Sequence, residues 1–339
     1  MTRWWWLGLL LAGGCSDALE QTSPAGQVVA FASASTVSIV SAATLQVTTA
    51  PLPGSGGVDV ALAGRGNLVL AALSEPGPAG RLALVPAAHP ETADTLGLPG
   101  APAGVAAQDD SIAWVALPGR GAVARVNYRA GTVATVAVGG APAAVAVTAG
   151  RVFVVNPGAG TGPSWLNALD PAGAAAPDSI PLTGVGAIAA TVGGDSLLYV
   201  LERGSPGAAD GRLSIVDPVT RVELVVINGL GAGAVGAVFH PSGRLLVASV
   251  TDGILEVNTL TRTVTRGPGA GVKPAGHGVL SLALDNGGRV FAGDATGCAG
   301  GGGGGGGVVH VLSAPPDYRE LHAVNVGACP AAAATAVVP

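Results

Sequence analysis

Gly104-Val105-Ala106-Ala107-Gln108, Ile112-Ala113-Trp114-Val115-Ala116, Ala122-Val123-Ala124-Arg125-Val126-Asn127 and Thr132-Val133-Ala134-Thr135-Val136-Ala137-Val138 are four short apolar runs in close succession. Turn-forming residues separate them, and each run is too short for a helix, so the segment reads as four β-strands. The unit recurs at Ala143–Thr148, Val152–Val155, Trp165–Leu169 and Asp178–Leu182. Two further copies begin at Ala187 and Ala234, one begins at Val279, and one runs from Val58 to Leu98. Self-similarity at roughly 40 to 50 residues with four strands per period belongs to sheets repeated around an axis.

What is left over decides the closure. Three runs at the N-terminal end (Val28–Ser33, Thr36–Ser41, Leu45–Ala50) are matched by one spare run at the far end, Ala333–Val338. One plus three completes a seventh unit, and a ring shut by strands from both termini leaves no open sheet edge. The predicted fold is therefore all-β: a seven-bladed β-propeller over residues 28–339, built from four-stranded antiparallel blades. Six and eight blades stay open at this stage, because glycine-rich segments can hide or imitate a strand.

Residue types agree with strand position. First runs such as Ala143–Val147 and Ala187–Ala190 are small or branched and apolar, as strands crowded around an axis must be. Fourth runs such as Arg221-Val222-Glu223-Leu224 and Arg262-Thr263-Val264-Thr265 alternate polar and apolar, the pattern of an outer strand with one face in water. Between third and fourth runs lie Asp217–Thr220 and Asn258–Thr261, where an Asp or Asn side chain can close its own turn.

Composition excludes other classes. In 339 residues, 49% are hydrophobic and 11% charged, too apolar for disorder, while 55 Gly and 25 Pro disfavour a helix bundle or a doubly wound α/β fold. A net charge of -5 without any Lys/Arg run argues against nucleic acid or an anionic membrane surface as partner.

The repeats resemble the YVTN-type bacterial β-propeller family. Gly140-Ala141-Pro142 opens a unit, Phe153-Val154-Val155-Asn156 stands where the family's name motif would be, and Asp217–Thr220 supplies the turn. No unit carries the full motif. The resemblance implies a propeller that binds other macromolecules or serves at a surface. It implies no catalytic residues.

Arg3, then the apolar stretch Trp4–Ala12, reads as a signal peptide over residues 1–14, too short to span a bilayer as a mature helix. Leu11-Ala12-Gly13-Gly14-Cys15 resembles a bacterial lipobox, which implies a diacylglyceryl group on Cys15. Cleavage by an ordinary signal peptidase near Ala18 is the alternative. Residues 15–27 then form the lipidated Cys and a flexible tether. The mature domain is expected outside the cytoplasm as a monomeric ring, membrane-anchored by lipid only, on the periplasmic side or at the cell surface of a bacterium.

No catalytic template fits. The sequence has no Gly-x-Ser-x-Gly, Cys-x-x-Cys or His-Glu-x-x-His, and Gly231–Gly236 matches the dinucleotide fingerprint without the helix it requires. His240 is expected in a solvated turn, and His310 and His322 as cross-strand surface neighbours. A calcium-dependent lactonase or esterase at the propeller axis is the enzymatic alternative. Its candidate carboxylates and amide are Asn156, Glu202, Asp252 and Asp294, each just after a second strand, with Asp59 and Asp285 on inner strands. No cofactor and no catalytic residue is assigned.

Two features remain. Cys298 and Cys329 are expected to form a disulfide, since both follow strands on one face in an oxidising compartment. The connections over Ser74–Gly80, Asn156–Ser164, Glu202–Gly211, Gly267–Gly278 and Asp294–Gly307 are long, whereas those on the opposite face are tight. Long loops on a rigid scaffold are the usual place for function, and the competing reading is permissive insertion. With Glu75, Arg120, Asn156, Glu202, Arg203, Asp210, Asp252, Lys273, His277 and Asp294 they make a mixed-charge binding face for an unidentified protein or envelope component.

Overall fold

The computed structural model of the protein describes residues 26–33, 35–53, 60–172, 176–296, 298 and 307–338. The signal peptide, Cys15, nearly all of the tether, Asp59 and residues 299–306 lie outside the described residues. Among those described, no helix is long and apolar enough to cross a membrane.

Twenty-eight strands form seven four-stranded antiparallel sheets. Blade 7 takes its last three strands from the N-terminal end: β1 (Gln27–Ala32), β2 (Thr36–Ser41) and β3 (Val47–Pro51). Blade 1 holds β4 (Val60–Arg65), β5 (Leu68–Ser74), β6 (Gly80–Pro86) and β7 (Asp94–Leu98). Blade 2 holds β8 (Gly104–Ala107), β9 (Ile112–Leu117), β10 (Ala122–Asn127) and β11 (Thr132–Ala137). Blade 3 follows with β12 (Ala144–Thr148), β13 (Arg151–Asn156), β14 (Trp165–Leu169) and β15 (Asp178–Pro181). Blade 4 is β16 (Ala187–Val192), β17 (Leu198–Glu202), β18 (Gly211–Asp217) and β19 (Val222–Gly231). Blade 5 is β20 (Ala234–His240), β21 (Arg244–Ser249), β22 (Gly253–Asn258) and β23 (Thr263–Arg266). Blade 6 is β24 (Val279–Leu284), β25 (Val290–Asp294), β26 (Val308–Leu312) and β27 (Glu320–Asn325), and the chain ends in β28 (Ala332–Val337).

The predicted closure is present. β28 pairs antiparallel with β1, with Val28 opposite Ala336, Ala30 opposite Ala334 and Ala32 opposite Ala332, giving the order β28-β1-β2-β3. The first strand begins at Gln27, one residue earlier than expected, and Gln27 also ties blade 7 to blade 6. Its amide nitrogen donates to Asn286 Oδ1 at 3.2 Å, and its carbonyl oxygen accepts the Asn286 backbone N–H at 2.7 Å.

Both faces of the second strands are buried, and alternate residues serve two different cores. In β5, Val69, Ala71 and Leu73 pack toward blade 7, while Leu70 and Ala72 pack toward blade 2. In β17, Leu198 and Val200 face blade 3, while Tyr199 and Leu201 face blade 5. Each core is thus a layer between neighbouring blades, and a one-residue slip would exchange the contents of two layers.

The Asx turns form as read. Asp217 Oδ1 accepts the N–H of Val219 at 2.8 Å and Thr220 at 3.2 Å, and Asn258 Oδ1 accepts those of Leu260 and Thr261, both at 3.0 Å. At the axis, innermost strands meet almost backbone to backbone. A Cβ on Gly64 of β4 would stand 1.6 Å from the Thr335 carbonyl oxygen of β28.

Two changes test the closure. Deleting residues 333–339 should lower the melting temperature of the whole domain in one transition, and an unchanged melting curve would refute it. Gly64→Ala should destabilise through that collision with the Thr335 carbonyl, by about 1 to 3 kcal/mol in chemical denaturation.

Candidate functional site

Three of the four residues considered for a metal at the axis share a structural position, and it does not face the axis. Asn156, Glu202 and Asp294 each end a second strand. Each turns outward to a diagonal neighbour on the third strand of its own blade: Asn156 to Asn167 at 2.8 Å, Glu202 Oε2 to Ser214 Oγ at 3.2 Å, Asp294 Oδ2 to His310 Nε2 at 3.4 Å. Asp252, three residues past β21, binds the Gly269 N–H at 3.0 Å and the Thr251 hydroxyl at 2.7 Å. Among the described residues no group of three His, Cys, Asp or Glu side chains is placed to hold a metal ion. A cavity of about 280 Å³ beside the innermost strands of blades 4 to 7 is lined, among the described residues, by Thr191, Val192, Phe239, Leu282, Ala334 and Thr335 with other apolar residues, none of them a carboxylate. Asp285 is turned to Arg289 Nε at 2.6 Å.

Of these second-strand ends, Asp294 anchors the connection arriving from the preceding blade. Asp294 holds His277 of the β23–β24 connection, Nδ1 to Oδ2 at 2.8 Å, and also takes the Thr296 N–H at 2.7 Å. Burial pushes the Asp294 carboxyl up, but the bonds from Thr296, His277 and His310 outweigh it and hold the group below the ordinary aspartate range. His310 completes the chain by binding Glu320 Oε1 through Nδ1 at 2.7 Å. His277 is half-exposed, with Nδ1 fixed by this contact.

Three histidine expectations change. His240 is buried, its ring held by Ser242 Oγ at 2.7 Å and the Gly288 carbonyl at 3.0 Å, because the turn is capped by blade 6. His310 is buried, whereas His322 is exposed. They are not opposite each other, since His310 pairs with Ala323 and His322 with Val311, which sends the two rings to opposite faces of the sheet.

The long-loop face is uneven. One concavity, about 360 Å³, lies where blades 3 and 4 meet and is walled by Pro157, Gly158, Gly186, Gly204 and Ser205, with Arg203 as its one charged lining residue among those described. Arg203 is exposed, and its Nε lies 3.5 Å from the Ala234 carbonyl. Asp210 stabilises the same loop by accepting the Ser205 N–H at 2.8 Å, which holds its carboxyl below the ordinary range, and contacts Arg212 at 3.5 Å. A second concavity of about 360 Å³ is lined by Pro78, Gly100, Ala101, Gly119 and Arg120. Glu75, on the neighbouring loop, is paired with Arg81. Lys273 is exposed in the β23–β24 connection, and its charge helps keep Asp252 ionised. The rim therefore divides into an Arg203 cavity, an Arg120 cavity and the Lys273–His277–Asp294 region.

Cys298 and Cys329 are bonded, with Cα atoms 5.4 Å apart and a sequence separation of 31. The bond ties the β25–β26 connection to the segment leading into β28. Two polar groups escaped the sequence reading. Glu256 in β22 is buried and accepts from Arg244 Nε at 3.0 Å, Thr265 Oγ1 at 2.6 Å and the Tyr318 hydroxyl. Glu223 in β19 takes the Ser214 hydroxyl at 2.6 Å. A lone acid inside an apolar run such as Ile254-Leu255-Glu256-Val257 was the available signal.

No family model matches the chain, and no curated protein matches it. More than a thousand chains of solved structures do: 1040 in all, too many for the likeness to carry a function. Hydrazine synthase of Kuenenia stuttgartiensis is similar at a TM-score of 0.63 and 12% identity, over 83% of this chain and 92% of that one. Apo AztD from Citrobacter koseri is similar at 0.61 and 12%, over 93% and 98%. The computationally designed Ika8 protein is similar at 0.56 and 13%, over 89% and 87%. These likenesses agree with the β-propeller fold, whose seven blades the sheet order shows, and show nothing finer.

Replacing both bridged cysteines with serine should cost about 3 to 4 kcal/mol on the chain-entropy estimate. Denaturant titration of the double variant against the oxidised protein reads this directly, and equal midpoints would show the bond to be without effect on stability.

Proposed function

We propose that the protein is an extracytoplasmic, lipid-anchored propeller of the YVTN type that binds another protein or an envelope component through its long-loop face. The carrying observation is the cavity between blades 3 and 4, a concavity with main-chain walls of glycine and proline and an exposed arginine at its edge. Such walls let a partner approach the backbone closely, and Arg203 offers planar recognition of a carboxylate. Lys273, exposed on the same face, extends the positive character toward blade 6. A closed ring of blades, whose outer edges are short strands, serves as a rigid platform whose loops can vary without disturbing the core. The lipid at Cys15 and the tether would keep this face free to meet partners at a membrane surface.

Combined Arg203→Glu and Lys273→Glu substitution should weaken crosslinked capture of the native partner by about tenfold or more and leave the melting temperature unchanged. Arg65→Glu on the tight-turn face is the comparison, since Arg65 makes only an exposed pair with Asp110. Loss of capture with Arg65→Glu and retention with the double variant would reverse the face.

A further inference from the structure

The strap that joins blade 3 to blade 4 is anchored differently from its counterpart at blade 6. There, Asp294 meets the incoming connection through His277. At the equivalent place, Glu202 meets Gly184, whose missing side chain is required because a Cβ would lie 1.7 Å from Glu202 Oε2. The strap therefore presents bare backbone to the carboxyl and donates nothing to it. Glu202 is fully buried, and its Oε1 has no hydrogen-bond partner.

Counting protons sharpens the point. Ser214 lies 3.2 Å from Glu202 Oε2 and 2.6 Å from Glu223 Oε1, and it has one hydroxyl proton for two carboxyl groups. Glu223 takes that proton at the shorter distance and also accepts the Thr183 N–H at 3.1 Å. A second hydrogen bond at Ser214 then needs a proton on Glu202 itself. The other charged group facing Glu202 is Arg212, opposite it on β18, whose guanidinium is shared with Asp210 at 3.5 Å. From the strap and β16, the residues placed against it are Gly184 and Ala187, neither of them titratable, and among the described residues no further charged group acts on it. Burial, reinforced by the charge of Glu223 and opposed by Ser214 and Arg212, pushes the carboxyl up to about 7.

We infer that Glu202 is a proton-operated latch for the Arg203 cavity: neutral, it lets the Gly184 strap lie closed on the carboxyl, and ionised, it drives the strap away. The strap is the cavity's wall. Gly186 lines it, Arg203 N–H donates to the Gly186 carbonyl at 2.9 Å, Gly204 N–H to the Val185 carbonyl at 3.1 Å, and Gly186 N–H to the Pro157 carbonyl at 3.0 Å. A buried carboxylate with an unpartnered oxygen must find water, and displacing the Gly184 backbone, which donates nothing to it, opens that route at the cost of the 2.8 Å bond from Ser164 N–H to the Gly184 carbonyl. That the cavity binds a partner rests on the reading above, whereas the latch itself does not.

The sign follows from linkage. A carboxyl whose pKa is raised on folding binds its proton when the unfolded chain has already released it, so stability falls from about pH 4.5 to about 7 and is flat above. Glu202→Gln keeps the shape and removes the titration. Between about pH 5 and 7.5 the protein should lose roughly 5 °C of melting temperature relative to Glu202→Gln. Amide exchange of Arg203 and Gly204 should rise about tenfold over the same change in the protein and stay level in the variant, after correction for intrinsic exchange. Carboxyl-carbon NMR of labelled glutamate gives a second reading on the unaltered chain, with a midpoint near 7 expected. Parallel melting profiles, a midpoint below about 5, or calcium-dependent stabilisation lost in Glu202→Gln would each overturn the latch, the last by making the Glu202–Glu223 pair a cation site. None of these readouts needs the partner, so failure to find one leaves this test intact.

Discussion

The pairing of β28 with β1 is the constraint on which the other features depend. Six of the seven blades are local hairpins that the chain completes as it goes, but each second strand is buried on both faces and needs a neighbour on either side. Blade 7 supplies the last two of those neighbours, covering Val69, Ala71 and Leu73 of blade 1 on one side and Phe291 and Val309 of blade 6 on the other. Closure therefore completes two layers at once through the alternation of Val28 and Ala30 against Val29 and Phe31. The contacts it makes are among the most distant in sequence, and their ordering cost is recovered only when the ring shuts.

With both faces of the inner strands buried, polar side chains have few places to go, and the end of the second strand is the one that recurs. Asn156, Glu202 and Asp294 lie where a strand leaves the packed layer and the next connection crosses over it. An anchor there fixes the connection to the blade it enters. Asp294 shows the satisfied version, with donors from the strap, from its own loop and from the third strand. Glu202 keeps the third-strand partner and lacks the donor from the strap. Asp294 thus receives His277, the Thr296 N–H and His310, whereas Glu202 meets the bare backbone of Gly184 and a Ser214 hydroxyl shared with Glu223, so hydrogen bonding governs the first acid and burial the second.

The sequence made the blades legible because the repeat is long, the strands are short and the turns are chemically marked. Asp217 and Asn258 announced their hairpins, and the unpaired strand at Ala333–Val338 announced the closure. The cysteine pairing was readable for a related reason: once the ring order is known, the ends of β25 and β27 fall on one face. What could not be read was the direction of a polar side chain within an apolar run. Alternation distinguishes two faces, but in this fold both are buried, so His310 in Val309-His310-Val311 gives no sign of which layer it enters. The same ambiguity hid Glu256, whose partners come from β21, β23 and the loop carrying Tyr318. The axis was misjudged for a different reason. Second-strand ends share a face of the ring, yet sharing a face does not make side chains converge when each turns outward to its own third strand.

Where a ligand can be met then follows from packing. The innermost strands approach so closely that Gly64 cannot carry a Cβ, and the cavity beside them is walled by alanine, valine, leucine, phenylalanine and threonine. Such a lining can fix no charge and orient no polar group beyond two hydroxyls. The interblade junctions are the opposite case, because there the chain has left the sheets, backbone groups face outward, and charged side chains such as Arg203 stand at the edge of a concavity. The junction of blades 3 and 4 joins such a concavity to a buried acid that its wall leaves without a donor.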